Sequence, residues 1–364
     1  MRVFRGLPNP ASRTPCALTI GNFDGVHRGH RALIGRVRAA ADRLGVPACV
    51  MTFEPHPREY VHARLVADGK PDDALPKPPA RIANLRDKLD ALAECGVDRV
   101  IVERFNTRFA SLSAEHFIED IVVAGCHARW LMVGDDFRFG AQRRGGFAML
   151  EDAGERFGFA VESIASVMTS HAESGGAGTT RIEAVPARDV PDERVSSSAI
   201  RSALGAGDLP RAEALLGHPY FISGHVIHGA KLGRTIGFPT ANILPHGHAT
   251  NRQTALSGIF IVRVHDAAGD PMPGVASIGV RPTVEDAGRV LLEVHLFDFT
   301  GDLYGRRVRV EFLHKLRDEE KYDDLVRLTA AIAADARMAR AWFGLPQDAA
   351  NGERFAVSAT DRTT

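Results

Sequence analysis

At 364 residues the chain is long for one hydrophobic core, so two domains with connecting segments are expected. Lysine plus arginine equals aspartate plus glutamate, 45 against 45. That balance leaves no excess positive field to draw the chain to nucleic acid or an anionic membrane, and no apolar stretch approaches the roughly 18 residues of a membrane span. The amino terminus has no signal-like apolar run, and Cys16, Cys49, Cys95 and Cys126 fall in no CxxC pair or matched spacing. They read as reduced thiols of a cytoplasmic protein, with neither a zinc site nor a disulfide framework indicated.

In chain order, the first half alternates short β-runs with helical patterns, as a parallel α/β sheet requires. The run "ALTIG" leads into a helix that keeps Leu33, Ile34, Val37, Ala41 and Leu44 on one face and ends at Gly45. Then follow "ACVMTF", the helix "RIANLRDKLDALAECG", the strand "RVIVERF", the helix "SAEHFIEDIVVAG", the strand "RWLMVG", a helix near Met149 and the strand "FAVESIA". This Rossmann-like half is expected to span 1–205. Two stretches inside it, "HARLVADGKPDDALPKPPA" and "TSHAESGGAGTT", are too polar to bury much surface and are expected as mobile surface loops.

Beyond Leu209 the pattern changes to β-runs separated by turns: "YFISGHVIHG", "GIFIVRVHD", "VASIGV", "LLEVHLFDF" and "RRVRVEFLHKL", with "AAGD" and "FTGDLYG" as reversals. A small antiparallel β-barrel over 206–346 is predicted, closed by the helix "DDLVRLTAAIAADARMARAWFG", with a disordered polar tail over 347–364. No internal repeat relates the halves.

The turn "GNFDGVHRGH" carries the first chemical signal. Gly21, Asn22, Phe23, Asp24 and Gly25 follow a β-run and precede a helix whose positive dipole end makes an anion seat. His27 and His30 share one helical face, and Gly29 between them admits a ligand close to the backbone. Two imidazoles over a helix amino terminus can stabilise charge on a departing pyrophosphate. Their bland reading is a pair of surface histidines on a first turn. In "RVSSSAIRSAL", Ser196, Ser197 and Ser198 cap a helix and offer hydroxyls, with Arg201 one turn on to meet a phosphate.

The second half holds its own nucleotide signal, "GHVIHGAKLGRTIGFPTAN". Gly229, Gly233 and Gly237 make a backbone-exposed loop able to wrap phosphates, although no Walker GK[ST] follows. In the extended exit, the Thr240 hydroxyl and the Asn242 carbonyl face one way and can converge on a hard cation such as Mg2+ bridging ATP phosphates. In "LLEVHLFDF", Glu293 and His295 lie opposite Leu292, Val294 and Leu296. Glu293 fits a base near a substrate hydroxyl, against the alternatives of an exposed strand residue or a buried salt bridge.

The strand–turn–HxGH arrangement, with "RVSSSAIRSAL", resembles the nucleotidyltransferase superfamily, with Ser198 standing where that signature usually has Thr. "TFEPHPREY", "LRDKLDALAECGVDRVIVERFN" and "VGDDFRFGAQRRGG" resemble the adenylyltransferase module of prokaryotic bifunctional riboflavin kinase/FAD synthetases. "GRTIGFPTAN", "VRPT", "EVHLFDFTGDLYG" and "FLHKLRDEEKY" resemble its riboflavin kinase module. The resemblance covers Leu18 to about Gly344. It implies flavin contacts from Phe53, Pro55, His56, Pro57, Asp136, Phe137 and Arg281, a catalytic base at Glu293 and magnesium at Thr240 and Asn242. The implied activity is phosphorylation of riboflavin by ATP to FMN, then adenylylation of FMN by a second ATP to FAD with release of pyrophosphate. An adenylyltransferase for another phosphorylated vitamin would not need the "PTAN" and "EVHLFDF" segments. A flavin-binding regulator with decayed sites would not keep His27, His30, Thr240, Asn242 and Glu293 together. The sequence leaves the oligomeric state open.

Overall fold

The structure, a computed structural model, describes residues 1–171, 192–229, 237–245, 254–266, 269–280 and 290–347. Contacts divide the chain into two compact units. One comprises Met1–Ile82, Arg86–Ala199 and Ala214–Gly217; the other comprises Ala83–Leu85, Ile200–Glu213 and His218–Thr364.

The first unit is built on a six-stranded parallel sheet in the order β1-β4-β3-β2-β5-β6. Its strands are β1 (Arg2–Arg5), β2 (Cys16–Ile20), β3 (Ala48–Glu54), β4 (Arg99–Arg104), β5 (Ala128–Gly134) and β6 (Ala160–Ile164). Every residue of β2 is buried, as a central strand covered on both faces demands of a continuous apolar run. β2 leads to β3 on one side, while β5 lies on the other. The carboxyl ends of β2 and β5 therefore flank the reversal of strand order where open α/β sheets bind ligands. Helix α1 (Arg28–Leu44) starts there, buries Leu33, Ile34, Val37, Ala40 and Ala41, and stops at Gly45 in the left-handed region, φ 64°.

Several elements differ from what the sequence pattern alone marks. The edge strand β1 carries no alternation that marks it, and pairs with β4 in parallel register. The stretch 62–80, expected as a loop, begins inside helix α2 (Pro57–Ala67), whose start His56 and Glu59 secure with a capping box. It is then tied down by the His62 ring, which reaches both Asp72 and the Pro76 carbonyl. Helix α3 (Leu85–Glu94) starts four residues later than its pattern suggested. After the short helices α4 (Thr107–Ala110) and α5 (Ala114–His116), the chain continues as a π-helix over Phe117–Val123, with Ala124 N donating to the Glu119 carbonyl. Helix α6 (Phe147–Phe157) follows. The loop expected at 169–180 falls mostly outside the described residues, as does nearly all of the tail.

Helix α7 (Ser197–Ala206) spans the division between units, and α8 (Leu209–Leu216) is helical where β-runs were expected to begin. The predicted barrel then forms and closes, in the order β10-β11-β8-β7-β12-β9. Its strands are β7 (Phe221–Ile227), β8 (Ala241–Pro245), β9 (Gly258–Asp266), β10 (Met272–Val280), β11 (Val290–Leu296) and β12 (Arg307–Arg317). Val262, Val264, Val308, Val310 and Phe312 make one fully buried row. On the opposite face, Phe238, Ile261, Val275 and Phe297 pack against Ala336 and Ala339 of helix α9 (Leu325–Trp342). Two partly buried ion pairs fasten that helix, Arg317 to Asp335 at 2.7 Å and Arg340 to Asp298 at 2.8 Å.

Candidate active sites

In the first unit the turn after β2 is shaped by left-handed backbone at Phe23, Gly25 and Val26, with φ of 47°, 84° and 39°. Phe23 itself is core, 2% exposed, with its ring centroid 5.0 Å from that of His30. At Phe23, then, the side chain is turned into the core and only its backbone is left to a ligand. Thr52 Oγ1 donates to the Asn22 carbonyl at 3.1 Å, and both Asp24 carboxylate oxygens accept from Ile82 N at 3.1 Å.

His27 is the N-cap of α1: its Nδ1 accepts from His30 N at 3.3 Å. In the neutral ring the proton must then sit on Nε2, the nitrogen away from the backbone. The two imidazoles stack at 3.6 Å with an interplanar angle of 19°, and His27 is only 6% exposed, so the pair is not a surface accident of spacing. His30 is half-buried as a residue, but its Nδ1 is enclosed and makes no hydrogen bond among the described residues. Burial pushes its pKa well below the ordinary value, helped by His27 and by the ammonium of Lys88.

The serine motif meets this turn. Ser197 Oγ donates to the Asp24 carbonyl at 3.1 Å, and Ser196 Oγ caps α7 by accepting from Ala199 N at 3.1 Å. A Cβ on Gly29 would stand 3.7 Å from the Val195 carbonyl, an ordinary contact, and 3.3 Å from the His27 ring, which would have to give by a few tenths of an ångström. Ser198 is exposed, and Arg201 lies one turn further along α7.

Behind the turn lies a charge cluster that the motif reading missed. Arg81 forks onto Glu54 at 2.6 and 2.9 Å and onto Glu59 at 2.7 Å. Lys88, 5% exposed, has its pKa lowered by burial, a shift that the carboxylates of Asp24 and Glu54 oppose. The available signal was a lysine at helical spacing from Leu85 and Leu92, on the stripe that should have been apolar.

The segments assigned to flavin are joined by aromatic contacts. Phe53 meets Phe105 and Phe109 at 5.8 and 5.3 Å; Phe109 meets Phe117, Phe117 meets Phe139, and Phe137 stacks on Phe139 at 5.8 Å. Phe105, Phe109 and Tyr60 were not anticipated. Pro55 precedes, and His56 and Pro57 build, the start of α2, with His56 Nδ1 accepting from Arg58 N. Asp136 pairs with Arg194 at 3.1 Å.

In the second unit, strand register brings two of the predicted residues together. Glu293 on β11 lies directly opposite Asn242 on β8. Asn242 is 8% exposed, and a Cβ on Gly229 would collide with its amide, so that glycine makes room for it. Thr240 and Gly237 line a cleft of about 450 Å³ with Pro239, Val294, Leu296 and Tyr304. The His228 ring packs against Tyr304 at 3.9 Å, tilted by 33°. His295 instead braces the fold: its Nδ1 contacts the Pro239 carbonyl at 2.9 Å and its ring stands edge-on to Phe238 and Phe297. Gly233 and Arg281 lie outside the described residues.

A helix amino terminus at a sheet's switch point, followed in the same chain by a closed barrel with a carboxylate beside an amide and a cleft, is compatible with a nucleotide-using transferase. Similarity to known proteins makes that class particular. A family model described as FAD synthetase matches residues 9–175, and one described as riboflavin kinase matches residues 216–343. The chain is 44% identical over 352 residues to the bifunctional riboflavin kinase/FMN adenylyltransferase of Escherichia coli K12, covering 96% of this chain and all of that one. It is 46% identical over 343 residues to the protein of the same description from Pseudomonas fluorescens, covering 94% and 97%. A crystal structure of a Streptococcus pneumoniae protein described as a macrolide-efflux protein superposes with a TM-score of 0.69 at 27% identity, covering 94% of this chain and 100% of that one. Among the described residues here, no helix is long and apolar enough to cross a membrane. The chain belongs to the family of bifunctional riboflavin kinase/FMN adenylyltransferases.

Proposed function

We propose that the two reactions of this family, riboflavin to FMN and FMN to FAD, run at the two sites described, with the residue roles that follow. The observation that supports the assignment most is that strand register sets Glu293 opposite Asn242 in the barrel, while Ser197 meets the Asp24 carbonyl beside the stacked His27–His30 pair in the α/β unit. In the barrel, Glu293 takes the proton from the terminal ribityl hydroxyl as that oxygen attacks the γ-phosphorus of ATP and ADP leaves. Thr240 and Asn242 would hold Mg2+, and a hydroxyl with an amide oxygen suits a cation that draws its other ligands from phosphate and water. That ion, when bound, neutralises charge on the transferring phosphoryl group. Gly237, on the rim of the cleft, and Gly229 and Gly233 before it are assigned to the phosphates.

In the α/β unit an FMN phosphate oxygen attacks the α-phosphorus of a second ATP. That oxygen is already ionised, so no general base is needed. The task is to stabilise charge on the departing pyrophosphate, which the helix terminus, the backbone of 21–25, Gly29, His27 Nε2, the Ser196 and Ser198 hydroxyls and Arg201 serve, with Ser197 tying the serine turn to the Asp24 carbonyl. His30, held neutral, acts by hydrogen bonding and by stacking His27 in place. The aromatic run from Phe53 to Phe137, with Pro55, His56, Pro57 and Asp136 around it, is assigned to the flavin ring, and Arg281 to the flavin of the kinase site. Every substrate is a small molecule, and a cytoplasmic location supplies the ATP.

Incubation of the pure protein with riboflavin, ATP and Mg2+, followed by separation of the flavins, should yield FMN and then FAD. Glu293→Gln should make FMN 10² to 10⁴ times more slowly, the scale of lost general-base help, at roughly that order of magnitude. The same variant given FMN should make FAD at a near-normal rate. Replacing both His27 and His30 by Ala should do the opposite, leaving FMN formation intact while FAD falls by about 10²-fold or more. Normal kinase turnover in the first variant, or normal FAD formation in the second, overturns the corresponding assignment.

A further inference from the structure

The row that pairs Asn242 with Glu293 continues one strand further, because Glu293 on β11 is also directly opposite Ser277 on β10. Ser277 Oγ in turn donates to Glu319 Oε1 at 3.0 Å. Glu319 comes from the segment after β12 and lies across Gly279, the next residue of β10 on the same face as Ser277. A Cβ on Gly279 would overlap the Glu319 carboxylate, so the strand is bare where that carboxylate rests. The chain just before Glu319 is pinned by Lys315 to Asp318 at 2.6 Å and by Arg317 to Asp335 at 2.7 Å. Glu319 is nevertheless exposed, with its outer side toward solvent. Cross-strand neighbours stand about 5 Å apart, so a second carboxylate is held roughly one such step beyond Glu293, on the side away from Asn242.

A proton-accepting base at Glu293 accounts for one hydroxyl. An acceptor at Glu319 has no proton to remove and no metal partner, but it matches a chain that carries further hydroxyls next to the reacting one. We infer that Glu319 is a substrate-binding residue of the kinase reaction: its carboxylate accepts hydrogen bonds from the secondary hydroxyls of the polyol chain and so sets the terminal hydroxyl at Glu293. This rests on the reading of Glu293 as the base. The carboxylate selects for a polyhydroxylated side chain on the flavin and is indifferent to the ring. Ser277 holds one of its oxygens in place and leaves the other for substrate.

The test is steady-state kinase kinetics on the full chain. Glu319→Gln should raise KM for riboflavin by about 10- to 100-fold, the scale of a lost hydrogen bond to a charged group. KM for ATP should stay unchanged, and so should inhibition by lumiflavin, the same ring without the polyol. Gly279→Ala leaves the carboxylate in the chain but displaces it, and should produce the same rise, with the double variant no worse than Gly279→Ala alone. Should Gly279→Ala fail to fold, Glu319→Gln decides by itself, since that side chain is exposed. An unchanged riboflavin KM in Glu319→Gln, or a loss shared equally by lumiflavin or ATP, overturns the inference and leaves Glu319 as a brace on β10. A normal turnover in Glu293→Gln would instead remove the base assignment, an outcome read on a different variant and a different parameter.

Discussion

Burial keeps the His30 ring neutral in the folded chain, and this makes stability depend on pH in one direction. The unfolded chain takes up a proton on this ring as pH falls through the ordinary value of 6.5, whereas the folded chain resists doing so until much lower pH. The unfolded state then binds more protons, so stability drops on acidification, starting near that value and continuing down toward the lowered one. Paired carboxylates such as Glu59, whose pKa Arg81 holds below the ordinary 4.5, give up their contribution only at more acid pH. Melting curves between about pH 8 and about pH 5 should therefore show a falling melting temperature, and His30→Gln should flatten that fall. An identical slope in the variant would show that the ring does not carry it. At the same scale the motif residues sort by what they touch. His27 caps a helix and faces its neighbour histidine, whereas Phe23, in the middle of the motif, is a core residue that sets the turn.

Elements form where local signals and tertiary demands agree. Helix α1 was legible from its apolar stripe and from Gly45, because both act within the helix itself. The barrel strands were legible as alternating runs between turns. The edge strand β1 was not, since four residues carry too little periodicity and only pairing with β4 makes them a strand. Helix α2 has no fully buried residue and almost no apolar face. Its stability comes from the His56–Glu59 capping box, from Pro57 at its first position and from Arg81 gripping Glu59, a contact across 22 positions that no local window contains. Helix α8 went unread: Leu215 and Leu216 are buried in it directly before the first barrel strand, and eight residues carry too little periodicity to mark a helix.

For the whole molecule, the closed barrel is the feature with the clearest consequence. Closure leaves no unpaired strand edge, and α9 covers one apolar face through Ala336 and Ala339. A fragment from about Leu209 to Leu345 should accordingly fold by itself, convert riboflavin to FMN and make no FAD. Circular dichroism and flavin separation check this, and an insoluble or kinase-inactive fragment, under conditions where the full chain works, would count against it. What the sequence by itself determined is the chemistry that local spacing encodes: two histidines on one helical face after a glycine turn, serines at a helix start, a carboxylate on an alternating strand, and the change from helical to strand periodicity in mid-chain. Only the tertiary structure decided which of these meet. Ser197 reaches the Asp24 carbonyl across 173 positions, Glu293 faces Asn242 through strand register, and Lys88 and Arg81 gather with Asp24, Glu54 and Glu59 behind the turn. Register and burial are properties of the whole packed chain, because a side chain's partner depends on which strand or helix the fold lays beside it, and no window of sequence contains that choice.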